Sequence, residues 1–352
     1  LEEERRQGIT IDTAHIYFST ETRDYIIIDA PGHREFIRNM VTGASQAEAG
    51  VLIVDATQGV REQTRRHAVF MSLLGLRQIV VVVNKMDLID YAREPFEKLR
   101  GDIVELMTPL GAPPTAVLPI SAQEGDNVTR KPESMPWYEG PTLIQALESL
   151  TPRPSAVEGP VRFPVQDVYK VDDRRILAGR VERGRMRLGQ ELVFLPGGEK
   201  ATVNAIEIFG QEPLNEAEAG RSIGITLDDP LFVERGHVGC DPSDVPGQTG
   251  TIRAKLFWMA TDPLNANDRL TLRCATQQTD VTVEAIRHRV DTSALDETAA
   301  EADRLERYDV GEVILRTREP IVVEPHEAGT DLGRFVLSRG DDVLAGGIVL
   351  GG

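Results

Sequence analysis

The tetrapeptide Asn84-Lys85-Met86-Asp87 ends the most apolar run of the chain, Ile79 to Val83. A fixed carboxylate can accept two adjacent N–H donors. Guanine presents such a pair in its N1–H and N2–H₂ groups, so Asp87 suits selection of that base. Asn84 can tie neighbouring loops together, and the aliphatic stem of Lys85 can cover a base face. Asp29-Ala30-Pro31-Gly32-His33 follows the run Ile26-Ile27-Ile28. An aspartate at a strand end can hold a Mg²⁺-bound water. A glycine three residues on lets a backbone N–H approach a terminal phosphate with no Cβ in the way. Ser121-Ala122, after Ile120, offers backbone N–H groups for a base oxygen, and Thr10 in Gly8-Ile9-Thr10-Ile11-Asp12 offers a hydroxyl for a nearby metal. Singly, each of the four is equally an ordinary polar turn or strand start. In the order Thr10, Asp29-x-x-Gly32, Asn84-Lys85-x-Asp87, Ser121-Ala122, they read together as a guanine-nucleotide site.

Such residues need a scaffold that delivers them to one place. Four short apolar runs, Tyr25–Ile28, Val51–Val54, Ile79–Val83 and Ala116–Ile120, alternate with helical stretches at Arg34–Ser45, Glu62–Leu74, Pro95–Met107 and Thr142–Leu150. Nearly solid β-branched runs are those of parallel strands covered on both faces, and the alternation predicts right-handed βαβ units in a doubly wound sheet. The runs end in Asp29, Asp55, Asn84 and Ser121, polar residues at the carboxyl edge where such sheets bind ligands. Thr151-Pro152-Arg153-Pro154 reads as a linker. From Pro160 onward short strands are punctuated by Gly, Pro and Asp turns, with a second break at Asp241–Gly247, which predicts two β-rich units. Domains are expected at 1–153, 159–246 and 248–352.

The 352 residues carry 39 basic and 56 acidic side chains, a net charge of −17. That charge argues against a nucleic-acid or anionic-membrane surface spread over the whole protein. Two cysteines, Cys240 and Cys274, are too few for a disulfide framework or zinc ribbon and suggest a reducing, cytoplasmic setting. No apolar run reaches membrane-spanning length.

The four motifs resemble those of the translation-factor class of GTPases. There the threonine belongs to the first switch, Asp-x-x-Gly to the second, and Asn-Lys-x-Asp and Ser-Ala read the guanine. Further stretches are similar to the GTPase subunit of bacterial sulfate adenylyltransferase (ATP sulfurylase). They include Gln7–Asp12, Tyr17–Thr20, Asn39–Ser45, Gln63–His67, Ser72–Gly75, Asn84–Tyr91, Glu124–Val128, Ser134–Tyr138 and Gly140–Leu143. The likeness is close over the first domain and looser over the barrels, through Phe163–Val168 and Gly179–Gly184.

The resemblance implies Thr10, Gly32 and His33 in catalysis. His33 would orient the attacking water, since in-line attack on a γ-phosphate needs positioning more than a strong base. It further implies Asp29, Gly32, Asn84, Lys85, Asp87, Ser121 and Ala122 on the nucleotide, Thr10 and Asp29 on the metal, and GTP and Mg²⁺ as cofactors. The implied partner is the catalytic small subunit of ATP sulfurylase, which makes adenylyl sulfate from ATP and sulfate. An elongation-factor-like carrier of aminoacyl-tRNA has the same three-domain plan, but the charge of −17 gives it little support.

A phosphate cradle Gly-x-x-x-x-Gly-Lys-Ser/Thr occurs nowhere in the chain, and Gly197-Gly198-Glu199-Lys200 sits in the barrel region. In this class the cradle precedes the first switch. The expected fold is therefore an α/β P-loop-type GTPase domain, incomplete for want of the P-loop strand and helix, followed by two β-barrel domains. An N-terminal truncation is expected, and with it weak or absent GTP binding by this polypeptide alone.

Overall fold

The computed structural model describes residues 14–29, 47–73, 75–151, 156–171, 174–208, 210, 212–290, 297–298, 303–326 and 329–351. They form two compact units, the first up to Pro152 with the segment Val290–Glu297, the second carrying the remainder of both β-rich segments.

In the first unit, β1 (Ala14–Ser19) and β2 (Asp24–Asp29) form an antiparallel hairpin that sets Ala14 opposite Asp29. β3 (Gly50–Asp55), β4 (Ile79–Asn84) and β5 (Ala116–Pro119) form a parallel sheet in that order. β4 lies between the other two and its Ile79–Val83 are all buried, as its unbroken apolar composition demands. Register sets Asp55 beside Asn84 and Val83 beside Pro119, so the three strands end level. Helices α1 (Glu62–Leu73), α2 (Arg93–Met107) and α3 (Leu143–Glu148) follow. α2 buries Phe96, Leu99, Ile103, Leu106 and Met107, a spacing of three and four residues that makes one apolar stripe. α3 begins with a capping box in which Thr142 and Gln145 exchange side-chain and backbone hydrogen bonds.

One expectation of the sheet is corrected. Ile26-Ile27-Ile28 is not a covered strand beside β3: among the described residues β2 pairs with β1 alone, leaving Ile26 57% and Ile27 45% exposed. A tight hairpin satisfies one edge of β2 locally, and no described strand hydrogen-bonds its other edge to β3. The helix expected at 34–45 lies outside the described residues.

In the second unit, β6 (Arg162–Val171), β7 (Arg174–Arg180), β9 (Glu191–Leu195), β10 (Glu199–Glu207), β12 (Ser222–Leu227) and β13 (Val238–Cys240) close a barrel in the order β10-β12-β7-β6-β13-β9. The short strands β8 (Arg185–Arg187) and β11 (Glu216–Glu218) pair as a ribbon. The second barrel is built from β14 (Gly247–Trp258), β16 (Arg269–Cys274), β17 (Gln277–Val290), β20 (Val310–Val323), β21 (Arg334–Arg339) and β22 (Asp342–Gly351). Pairing of β16 with β17 closes its ring. The small pieces β15 (Leu264–Asn265), β18 (Glu297–Thr298) and β19 (Arg304–Leu305) complete the set.

β20 is continuous from Val310 to Val323, through Pro320. Thr251 faces Arg316 while Thr249 faces Ile321, so the bulge between them absorbs Pro320, which has no N–H for the ladder.

The two barrels meet over Val193, Leu195, Val238, Cys240, Val322 and Leu332. Beside this apolar seam Arg162, 1% exposed, donates from Nε and Nη2 to Glu324 Oε1 at 2.9 and 2.8 Å and from Nη2 to Asp244 Oδ2 at 2.9 Å. Thr330 Oγ1 donates to the other Glu324 oxygen at 2.6 Å. Both cysteines are buried, and burial pushes their thiols up, Cys240 to about 11 and Cys274 to about 12.

Candidate functional site

The site forms where β4 and β5 end. Lys85 turns the chain sharply after β4 by adopting a left-handed backbone, φ 66°. The turn lets Asn84 Oδ1 accept from two amides, Lys85 N at 2.7 Å and Ala122 N at 3.0 Å, joining the loop after β4 to the loop after β5. Met86 is fully buried beneath the loop, and its N–H donates to Ile120 O at 3.1 Å. This anchors a 3₁₀ turn, Met86–Ile89, that carries Asp87 at its start. Ser121 is buried; its Oγ donates to Asp87 Oδ1 at 2.6 Å and accepts from Glu124 N at 3.3 Å. Asp87 itself is half-buried, its carboxylate held by one oxygen.

Lys85 Nζ reaches Asp55 Oδ2 at 2.7 Å, so its stem runs along the sheet edge from β4 to β3. Asp55 also accepts from Thr57 N at 2.8 Å and Thr57 Oγ1 at 2.6 Å. Burial works against ionisation of Asp55, but the Lys85 and Thr57 hydrogen bonds and the Lys85 charge prevail and hold its carboxyl at about 2.

The structure thus brings together Asn84, Lys85, Asp87, Ser121 and Ala122. It assigns two of them differently from the first expectation. The Ser121 and Ala122 amides, expected to face a base oxygen, already donate to Asp126 O at 3.2 Å and Asn84 Oδ1. Their work here is to fix the loops that hold Asp87. Asp29 closes β2 on the separate hairpin and is not in the sheet that carries the other residues. Thr10, Gly32 and His33 lie outside the described residues. Among the described residues, no group of three or more His, Cys, Asp or Glu side chains could hold a metal ion.

Sequence reasoning gave no role to three supporting residues. Trp137 packs on Phe96 at 5.4 Å and donates from Nε1 to Tyr91 O at 3.0 Å, pinning the end of the Asn84–Tyr91 loop. Asn127, fully buried with φ 59°, donates to Pro119 O at 2.9 Å and accepts from Leu143 N at 3.0 Å, linking the end of β5 to α3. Asp126 accepts from Ser134 Oγ at 2.9 Å. The signal for them was the resemblance of Glu124–Val128 and Ser134–Tyr138 to the family, with an aromatic pair, Trp137-Tyr138, and a turn around Gly125.

Comparison with known proteins fits this geometry. Residues 1–153 match the elongation factor Tu GTP binding domain family, and residues 251–350 the GTP-eEF1A C-terminal domain-like family. Sulfate adenylyltransferase subunit 1 of Aeromonas hydrophila subsp. hydrophila is 38% identical over 338 residues, covering 96% of this chain and 70% of that protein. Its counterpart in Citrobacter koseri is 39% identical over 339 residues, covering 96% and 71%. The solved structure of sup35 complexed with GDP has the same fold, with a TM-score of 0.53 and 23% identity over 99% of this chain and 84% of that one. The chain belongs to the sulfate adenylyltransferase subunit 1 family, within the translation-factor class of GTPases.

Proposed function

We propose that this protein is the GTPase subunit of a cytoplasmic sulfate adenylyltransferase, hydrolysing GTP to drive a partner subunit's synthesis of adenylyl sulfate from ATP and sulfate. The observation that carries this reading is the Asp87 carboxylate, fixed by Ser121 in a loop that Asn84 ties to its neighbour. One carboxylate oxygen is engaged by the protein, and the group as a whole can accept from guanine N1–H and N2–H₂. The Lys85 stem, stretched toward Asp55, offers an aliphatic surface for the base face.

Thr10 and Asp29 would hold Mg²⁺, which would neutralise charge on the phosphates. Gly32 would place a backbone N–H at the terminal phosphate, and His33 would orient the water. The partner would be the catalytic small subunit, and transfer of the adenylyl group would take place there. Two free, buried thiols are in keeping with the cytoplasm.

The test is Asp87→Asn in the assembled enzyme. The change replaces an acceptor with a donor, so preference should move from GTP toward xanthosine triphosphate, and stimulation of adenylyl sulfate synthesis should move with it. An unchanged preference for GTP would remove Asp87 from the base site.

A further inference from the structure

Lys85 is held at both ends. Its backbone is left-handed, φ 66°, a conformation disfavoured for any residue with a Cβ, and its N–H donates to Asn84 Oδ1 at 2.7 Å. Such strain persists where the surroundings impose it, and it gathers at functional sites. At the far end of the side chain, Nζ donates to Asp55 Oδ2 at 2.7 Å, on the neighbouring strand. The Lys85 side chain keeps 50% of its surface exposed, so an aliphatic stem is strung between two fixed points and still faces solvent.

Asp55 is the second of those points, and the protein holds it firmly. Its Oδ1 accepts from Thr57 N at 2.8 Å and Thr57 Oγ1 at 2.6 Å, while Gln58 Nε2 donates to Oδ2 at 3.3 Å. Its carbonyl accepts from Gln58 N at 3.1 Å and Gly59 N at 2.9 Å, closing a tight turn in which Gly59 takes φ 69°. Register sets Asp55 beside Asn84, and Ala56 N donates to Asn84 O at 2.9 Å. The carboxylate therefore has its place set by its own turn and strand. A lysine stem free in water samples many rotamers, and an anchored ammonium removes that freedom in advance.

We propose that Asp55 is a positioning residue for the nucleotide: by holding the Lys85 ammonium it keeps the lysine stem stretched as a platform for the face of the base. The inference rests on the guanine reading of this loop and deepens it. Asp87 reads the edge of the base, and Asp55, acting through Lys85, sets the surface beneath its face. A surface under the ring does not sense the exocyclic groups, so losing it weakens guanine and hypoxanthine nucleotides alike.

In the assembled enzyme, displacement of a fluorescent GDP analogue by GDP and by IDP, which lacks the 2-amino group, tests this on three variants. Asp55→Asn keeps an oxygen for Thr57 and removes the charge that holds Lys85. Lys85→Met keeps an unbranched stem and removes the ammonium, and the third variant combines the two. Asp55→Asn should weaken GDP and IDP equally, by about twofold to fivefold, the range for a half-exposed ion pair. The double variant should bind no more weakly than Lys85→Met, because Asp55 acts only through Lys85. Unaltered affinity in Asp55→Asn, a changed GDP-to-IDP ratio, or the same loss on top of Lys85→Met would overturn the proposal; the last is what an Asp55 that merely shapes its turn would give. A wild type without preference for GDP over IDP would instead overturn the guanine reading, and this arm is seen before any variant is made.

Discussion

Replacing Asn84 with alanine isolates the tie between the two loops. Asn84 Oδ1 accepts from the Lys85 and Ala122 amides, so Asn84→Ala leaves two backbone donors without their partner. At about 0.5–1.5 kcal/mol per bond, the loss should be roughly 1–3 kcal/mol. For a unit of this size that corresponds to a fall in melting temperature of about 2–12 °C. The effect on individual amides is sharper. Ala122 N has Asn84 Oδ1 as its acceptor, so its opening equilibrium should rise about twofold to thirteenfold in hydrogen exchange. The Ile120 amide, which donates to Val83 O at 2.8 Å within the β4–β5 pairing, should keep its protection. Asn84→Asp retains an acceptor oxygen and should preserve Ala122 protection. Unchanged exchange at Ala122 in Asn84→Ala would refute the idea that this side chain joins the loops.

Other perturbations reach the barrels. Arg162→Met strips the cationic partner from Glu324, which is 7% exposed and keeps only the Thr330 hydroxyl bond, and should cost about 3–5 kcal/mol; calorimetry finding less than about 1 kcal/mol would show that the pair is not desolvated. Glu182 has its carboxyl pushed up to about 7, first by burial and then by the neighbouring Asp331 charge. A raised carboxyl pKa favours the protonated folded state, so this contribution is present at low pH and is lost as pH climbs from about 4.5 to 7. Glu182→Gln should therefore stabilise the protein at pH 8 and change little at pH 5, and equal melting shifts at both would contradict the assignment.

Much of the architecture was already written in local patterns. The unbroken Ile79–Val83 run could only be a strand covered on both faces, and the spacing of Phe96, Leu99, Ile103 and Leu106 could bury only one helical stripe. The residue types at the strand ends were equally legible, because a strand that ends in Asn or Asp delivers that side chain to the carboxyl edge. These are effects of neighbours in the chain, and periodicity reports them.

The tertiary structure decided which groups pair. The Ala122 amide finds Asn84 Oδ1 across 38 residues and the Ser121 hydroxyl finds Asp87 across 34, while the Ser121 amide donates to Asp126 O, so both residues hold loops. Lys85 crosses the sheet edge to Asp55, and Arg162, which the sequence gave no reason to bury, sits at 1% exposure between two carboxylates. β2 leaves the sheet for a hairpin, and β20 runs through Pro320 because residues 317–320 bulge opposite the single residue Gly250 of β14. Composition determines which donors and acceptors exist, whereas a hydrogen bond of about 3 Å requires two loops to arrive at one point, and only the packed fold sets where they arrive.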